Sequence, residues 1–123
     1  MTHADTVRSY WAAAEARDWD RFAGLLAPDV VYTLEQSRER IRGVERYVAF
    51  NRDYPGDWHV TLVRVVADEE AAFSWGRVAL GTDVQVGLTV FTFDEVGAIA
   101  TIDDFWPQPS EPLGGREHLV ERF

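Results

Sequence analysis

Near the end of the chain stands the run Ile102-Asp103-Asp104-Phe105-Trp106. Successive side chains of a strand face opposite ways, so Ile102, Asp104 and Trp106 share one face and Asp103 and Phe105 the other. A carboxylate flanked by two apolar side chains loses its hydration once it is turned inward, and its pKa rises. Such a group can give or take a proton, which makes Asp104 the first candidate for a general acid or base, or for a ligand anchor. The plain structural alternative is an ion pair with Arg77, or a hydrogen bond to Tyr10 or Tyr32, since structural pairs perturb carboxylates too.

The second signal is the number of aromatic side chains. Tyr10, Trp19, Phe22 and Tyr32 come early, Tyr47, Phe50 and Tyr54 in the middle, and Phe73, Trp75, Phe91 and Trp106 late. Core packing accounts for some of them. Tyr and Trp also want a polar partner when buried, and a cavity lined by aromatics with a few polar groups is the usual small-molecule site.

Other chemistries find little support. The chain has no Cys, which removes disulfides, thiolate zinc sites and cysteine nucleophiles. His3, His59 and His118 show no ligand spacing, and His59 falls with Thr61 on a face directed away from the helices. No HExxH or carboxylate cluster is present, so neither a metal nor a cofactor is expected. The glycines form no phosphate loop. A net charge of −9 argues against nucleic acid and anionic membrane as partners. All the basic residues are Arg, which reads as a coding preference and not as a site. No stretch approaches the roughly 20 apolar residues of a membrane span. The start Met1-Thr2-His3-Ala4-Asp5 lacks the pattern of a signal peptide, so a cytoplasmic protein is expected.

The elements that must position these residues can be read from periodicity and turn chemistry. With 123 residues the chain suits one domain, with a core over 4–107 and a Pro-rich tail over 108–123. Val7, Tyr10, Trp11 and Ala14 recur at helical spacing over 4–17. Asp18 suits the N-cap of a short second helix, which Pro28 is expected to end. Val30 to Glu35 reads as a strand, Gln36 to Arg42 as a solvated loop, and Gly43 to Tyr54 as a third helix. After the turn Pro55-Gly56-Asp57, strands are expected over 58–67, 71–80, 84–93 and 98–106, joined by short turns into an antiparallel meander. Residues 116–122 read as a short terminal helix. Three helices laid on one concave face of such a sheet give an α+β architecture with a conical space inside.

This order resembles the nuclear transport factor 2-like superfamily, which includes ketosteroid isomerases, limonene epoxide hydrolases and SnoaL-type polyketide cyclases. The resemblance rests on Tyr10 eight positions before Asp18, Leu25-Leu26-Ala27-Pro28-Asp29-Val30-Val31-Tyr32, Arg42-Gly43, Phe93-Asp94-Glu95-Val96-Gly97-Ala98-Ile99 and Asp104-Phe105-Trp106-Pro107. It implies a cone-shaped, curved, mixed but mainly antiparallel sheet wrapped around three helices, also called cystatin-like. Residue by residue, it matches Tyr10 to the isomerase tyrosine. It puts Leu34 where those enzymes carry their base and Thr89 where they carry a protonated Asp. Glu35 would replace the base only through a register shift. Ile102 and Trp106 match pocket-lining positions, which turns Asp104 inward. Asp104 also matches the last-strand Asp of the epoxide hydrolases and cyclases, and Arg77 the hydrolase arginine, but the hydrolase's second Asp falls on Ala79.

The expected catalytic set is therefore Asp104, Tyr10 and Arg77. The expected walls are Trp19, Phe22, Tyr32, Leu34, Tyr47 and Phe50, then Phe73, Trp75, Thr89, Phe91, Ile102 and Trp106. Three functions stay open: a cofactor-free isomerase, cyclase, dehydratase or hydrolase for a small hydrophobic molecule, a non-catalytic binder of such a molecule, and a structural homodimer. The resemblance implies pairing through the outer sheet face.

Overall fold

The first helix is started by its own side chains. Thr2 accepts a hydrogen bond from the Asp5 N–H, and the Asp5 carboxylate accepts one from the Thr2 N–H, so two unpaired donors are satisfied reciprocally. The computed structural model describes residues 1–123. Helix α1 spans His3–Ala16, and α2 spans Trp19–Gly24 with Asp18 as its N-cap. Strands β1 (Leu26–Leu34) and β2 (Glu39–Arg42) follow, then α3 (Val44–Arg52). The chain continues with β3 (Trp58–Ala67), β4 (Ala71–Leu80), β5 (Asp83–Phe93) and β6 (Ile99–Phe105). At Gly43 the backbone turns into α3 with φ 95, a region that favours glycine.

The six strands form one sheet in the order β2-β1-β6-β5-β4-β3. Strands β3 to β6 are an antiparallel meander, and β6 returns to lie parallel to β1. The sheet is therefore mixed. Both free edges are protected. Strand β2 is short and carries Glu39, Arg40 and Arg42. On β3 the Val60 N–H donates to the Glu15 carboxylate of α1 at 2.8 Å. Arg17 ends α1 with φ 58, places its guanidinium 3.5 Å from the centre of the Trp58 ring and donates to the Trp58 carbonyl. These contacts fasten the end of α1 to the start of β3.

The helices cover the inner face of the sheet. Val7, Tyr10, Ala13 and Ala14 of α1, Phe22 of α2 and Tyr47 of α3 are buried against Val30, Tyr32, Phe91, Ile99 and Ile102. Each large apolar side chain so buried contributes roughly 1.5–3 kcal/mol.

Several expectations need correction. Residues 39–42 are not loop but strand β2, which pairs Val31↔Arg42 through Leu34↔Glu39, so the sheet has one more strand than expected. Strand β1 begins at Leu26, and α2 stops at Gly24 before Pro28 has any effect. Pro28 sits where the β1–β6 register shifts between Leu26 and Val31, so its missing N–H costs the ladder nothing. The tail holds only a single 3₁₀ turn at Glu117–Leu119. His59 does share the outer face with Thr61, opposite Ala79 and Arg77, but β3 is an edge strand and the His59 Nδ1 still reaches the Glu15 carboxylate of α1 at 2.9 Å.

Candidate functional site

Side-chain parity on β6 turns Ile102 and Asp104 inward, and the cross-strand register decides what Asp104 meets. Leu34 of β1 is its neighbour on one side and Thr89 of β5 on the other. Asp104 is only 5% exposed. The Tyr32 hydroxyl donates to its Oδ2 at 2.6 Å, and the Thr89 hydroxyl donates to its Oδ1 at 2.6 Å. Burial pushes the Asp104 carboxyl above the usual carboxylate range, while the hydroxyls of Thr89 and Tyr32 and the Trp106 ring pull it back in part.

Tyr10 of α1 and Tyr47 of α3 share a hydrogen bond between their hydroxyls. Burial raises the pKa of Tyr10, Tyr32 and Tyr47, and the charge of Asp104 raises each further, so all three phenols stay protonated at neutral pH. The pair consumes one of its two O–H hydrogens and leaves the other as a donor. Tyr32 and Tyr47 stack at 4.6 Å between ring centres, and Phe50 lies 5.6 Å from Tyr32.

These side chains close the inner end of a cavity of about 340 Å³. Tyr10, Tyr32, Tyr47 and Asp104 are its buried end. Leu34, Phe50, Trp58, Val60 and Val78 form the walls. Its exposed mouth carries Gln36, Ser37, Asp83, Gln85 and Gln108. Trp106 lies across the mouth end, against Gly87, where an added Cβ would meet its ring at 3.0 Å. The Trp106 backbone N–H donates to the Gln36 side chain and ties β6 to the β1–β2 loop.

The structure brings Asp104, Tyr10, Tyr32, Leu34, Tyr47, Phe50 and Trp106 together at this cavity. Other expected site residues lie elsewhere. Arg77 is exposed on the outer face of β4, with its guanidinium 5.9 Å from the centre of the Trp75 ring, and forms no ion pair with Asp104. Phe73 and Trp75 share that outer face, as does Ala79, since Ala72, Ser74, Gly76 and Val78 take the inner one. Phe22, Phe91 and Ile102 are wholly buried core beneath the cavity. Thr89 touches Asp104 and not the cavity. Trp19 packs behind the wall against Phe22 and Trp58. Glu35 is exposed and does not reach the cavity.

Sequence reasoning missed Trp11, Trp58 and Asn51 as wall residues. Trp11 was legible, because it shares the apolar stripe of α1, and its indole N–H donates to Ser74 at 3.0 Å. The amides at the mouth lie in segments that read as ordinary polar surface, and nothing local marks them. No cluster of three or more His, Cys, Asp or Glu side chains is gathered as for a metal ion. No helix is long and apolar enough to cross a membrane.

A family model described as a SnoaL-like domain matches residues 7–102. No curated protein matches the chain. Among solved structures, a candidate ketosteroid isomerase from Kribbella flavida DSM 17836 is 41% identical with a TM-score of 0.95, over 98% of this chain and 89% of that one. An epoxide hydrolase of the LEH-like kind from M. tuberculosis is 24% identical with a TM-score of 0.71, over 85% of this chain and 82% of that one. A candidate SnoaL-like polyketide cyclase from Shewanella denitrificans OS-217 is 15% identical with a TM-score of 0.74, over 85% and 90%. The last two are similar in fold alone.

Proposed function

This chain belongs to the SnoaL-like domain family, within the nuclear transport factor 2-like superfamily, and on that footing we propose that its cavity binds a small, largely apolar molecule and moves a proton on it with Asp104. One observation carries the reading: a buried carboxylate with raised pKa, oriented by Tyr32 and Thr89, stands at the closed end of an apolar pocket. In an isomerisation the ionised Asp104 takes a proton from a carbon beside a carbonyl. The spare phenol hydrogen of the Tyr10–Tyr47 pair stabilises the enolate oxygen, and Asp104 returns the proton at the new position. A dehydration, cyclisation or hydrolysis would use the same acid and base. No cofactor enters these steps.

Incubation in deuterium oxide with a panel of small apolar ketones, hydroxyketones and epoxides tests this. The expected result, read by NMR, is deuterium wash-in, isomerisation or ring opening for at least one compound class. Complete inertness of every class at neutral pH would overturn the catalytic reading. Leu34, which lines the cavity, favours a second reading, a binder without turnover, because the resemblance puts it where the isomerases carry their base. Saturable binding without product would select it.

The outer sheet face supports pairing with a second copy. Val66 and Val84 are 57% and 61% exposed there, and the indole N–H of Trp75, a residue of the same face, is buried without a partner. Sedimentation at micromolar concentration is expected to give a dimer, and Val66→Asp with Val84→Asp a folded monomer. A wild-type monomer would refute the pairing.

A further inference from the structure

The cavity wall is uneven in charge. Eight of its twenty lining residues are aromatic, and two, Asp104 and Asp83, are carboxylic. No Arg, Lys or His lines it, although the chain carries twelve Arg. The Arg17 guanidinium, which lies over the wall residue Trp58, is spent on that ring and its carbonyl and is absent from the lining. The remaining polar lining groups are neutral hydroxyls and amides. An anionic ligand, such as a carboxylate, a phosphate ester or a sulfate, would meet no counter-charge and two like charges, inside a protein of net charge −9. A cation meets the reverse: ring faces whose negative quadrupoles attract it, and a buried carboxylate that has no positive partner.

We propose that the ligand of this pocket is an organic cation, a protonated amine or quaternary ammonium with an apolar body, whose nitrogen is held by the aromatic walls and the Asp104 carboxylate. The proposal rests on the cavity being a ligand site, and it names that ligand's class. Titratable groups facing Asp104 are Tyr10 from α1, Tyr32 from β1, Tyr47 from α3 and Asp103 beside it on β6, none of them cationic. Ammonium binding therefore favours the ionised Asp104. Affinity for a quaternary ammonium, which has no proton of its own, rises with pH until Asp104 is fully ionised and then levels off.

Matched probes of one shape separate the possibilities. The cation is 4-(hydroxymethyl)phenyl-trimethylammonium, the neutral isostere is 4-tert-butylbenzyl alcohol, and the anion is 4-tert-butylbenzoate. Isothermal titration calorimetry of the wild-type chain is expected to give the cation at least about tenfold tighter binding than the neutral isostere, with the anion weakest. In Asp104→Asn that preference shrinks by about tenfold and its pH dependence disappears, while the neutral isostere binds as before. Equal or tighter binding of the neutral isostere or the anion would overturn the cation class and leave the ligand pocket standing. Failure of all three probes to bind would overturn both.

Discussion

Asp104→Asn is expected to lower turnover by about a hundredfold to ten-thousandfold while the protein stays folded, the usual worth of a positioned general acid or base. The amide keeps the size of the carboxyl. It still offers an oxygen to Tyr32 or Thr89, and its NH₂ donates to the other hydroxyl. It cannot exchange a proton with a substrate. The same variant makes a stability prediction of definite sign. Burial raises the Asp104 pKa in the folded chain, so the folded state holds that proton more tightly than the unfolded one. Wild-type stability then falls as pH rises from the ordinary carboxylate pKa through the raised one, and stays level above it. The amide variant has no such cost. Its melting temperature is expected to exceed that of the wild type at neutral pH, with the difference closing in acid. Parallel melting curves across pH would mean that Asp104 is not desolvated as described. Unchanged turnover would remove it from the chemistry.

Phe91→Ala is expected to destabilise the fold by about 3–5 kcal/mol, the range for truncating a buried aromatic side chain. Phe91 is wholly buried near the C-terminal end of β5, pairs with Ile102 and meets the Tyr10 ring edge-on at 5.2 Å. Removing the ring leaves a hole under Tyr10 that α1 and the sheet, held by their own hydrogen bonds, can close only in part. Urea unfolding with an unchanged m-value measures the loss. A loss below about 1 kcal/mol would mean that the position is a yielding pocket wall instead of rigid core.

Phe91 also illustrates how the candidate site was and was not legible. The sequence marks it as an apolar residue on the inner face of a strand, and that holds. Nothing local separates a side chain lining a cavity from one filling the core beneath it. The distinction depends on how far α1, α2 and α3 stand off the sheet, which many distant contacts set together. For β4 the difficulty is parity. Phe73, Trp75 and Arg77 alternate with Ala72, Ser74 and Gly76, and burial of the bulky set is the default expectation. The reverse occurs because α1 presses close on β4, bringing the Trp11 indole onto Ser74, and only small residues fit beneath it. Strand β2 escaped because Glu39, Arg40 and Arg42 are what a protected edge strand requires and are also what a loop looks like.

Short-range physics is written in the chain itself. The periodicity of α1, the Asp18 cap, the glycine entry to α3, the span of the β3 and β4 strands and the shared face of Ile102 and Asp104 each depend on residues a few positions apart. They could therefore be read without coordinates. Only the tertiary structure decided that Tyr32, 72 positions away, and Thr89, across the β5–β6 register, would hold the two oxygens of Asp104. The same holds for the exclusion of every Arg from the cavity. Those outcomes follow from strand order and from which face the helices cover, and both are set by packing between segments that no local pattern relates.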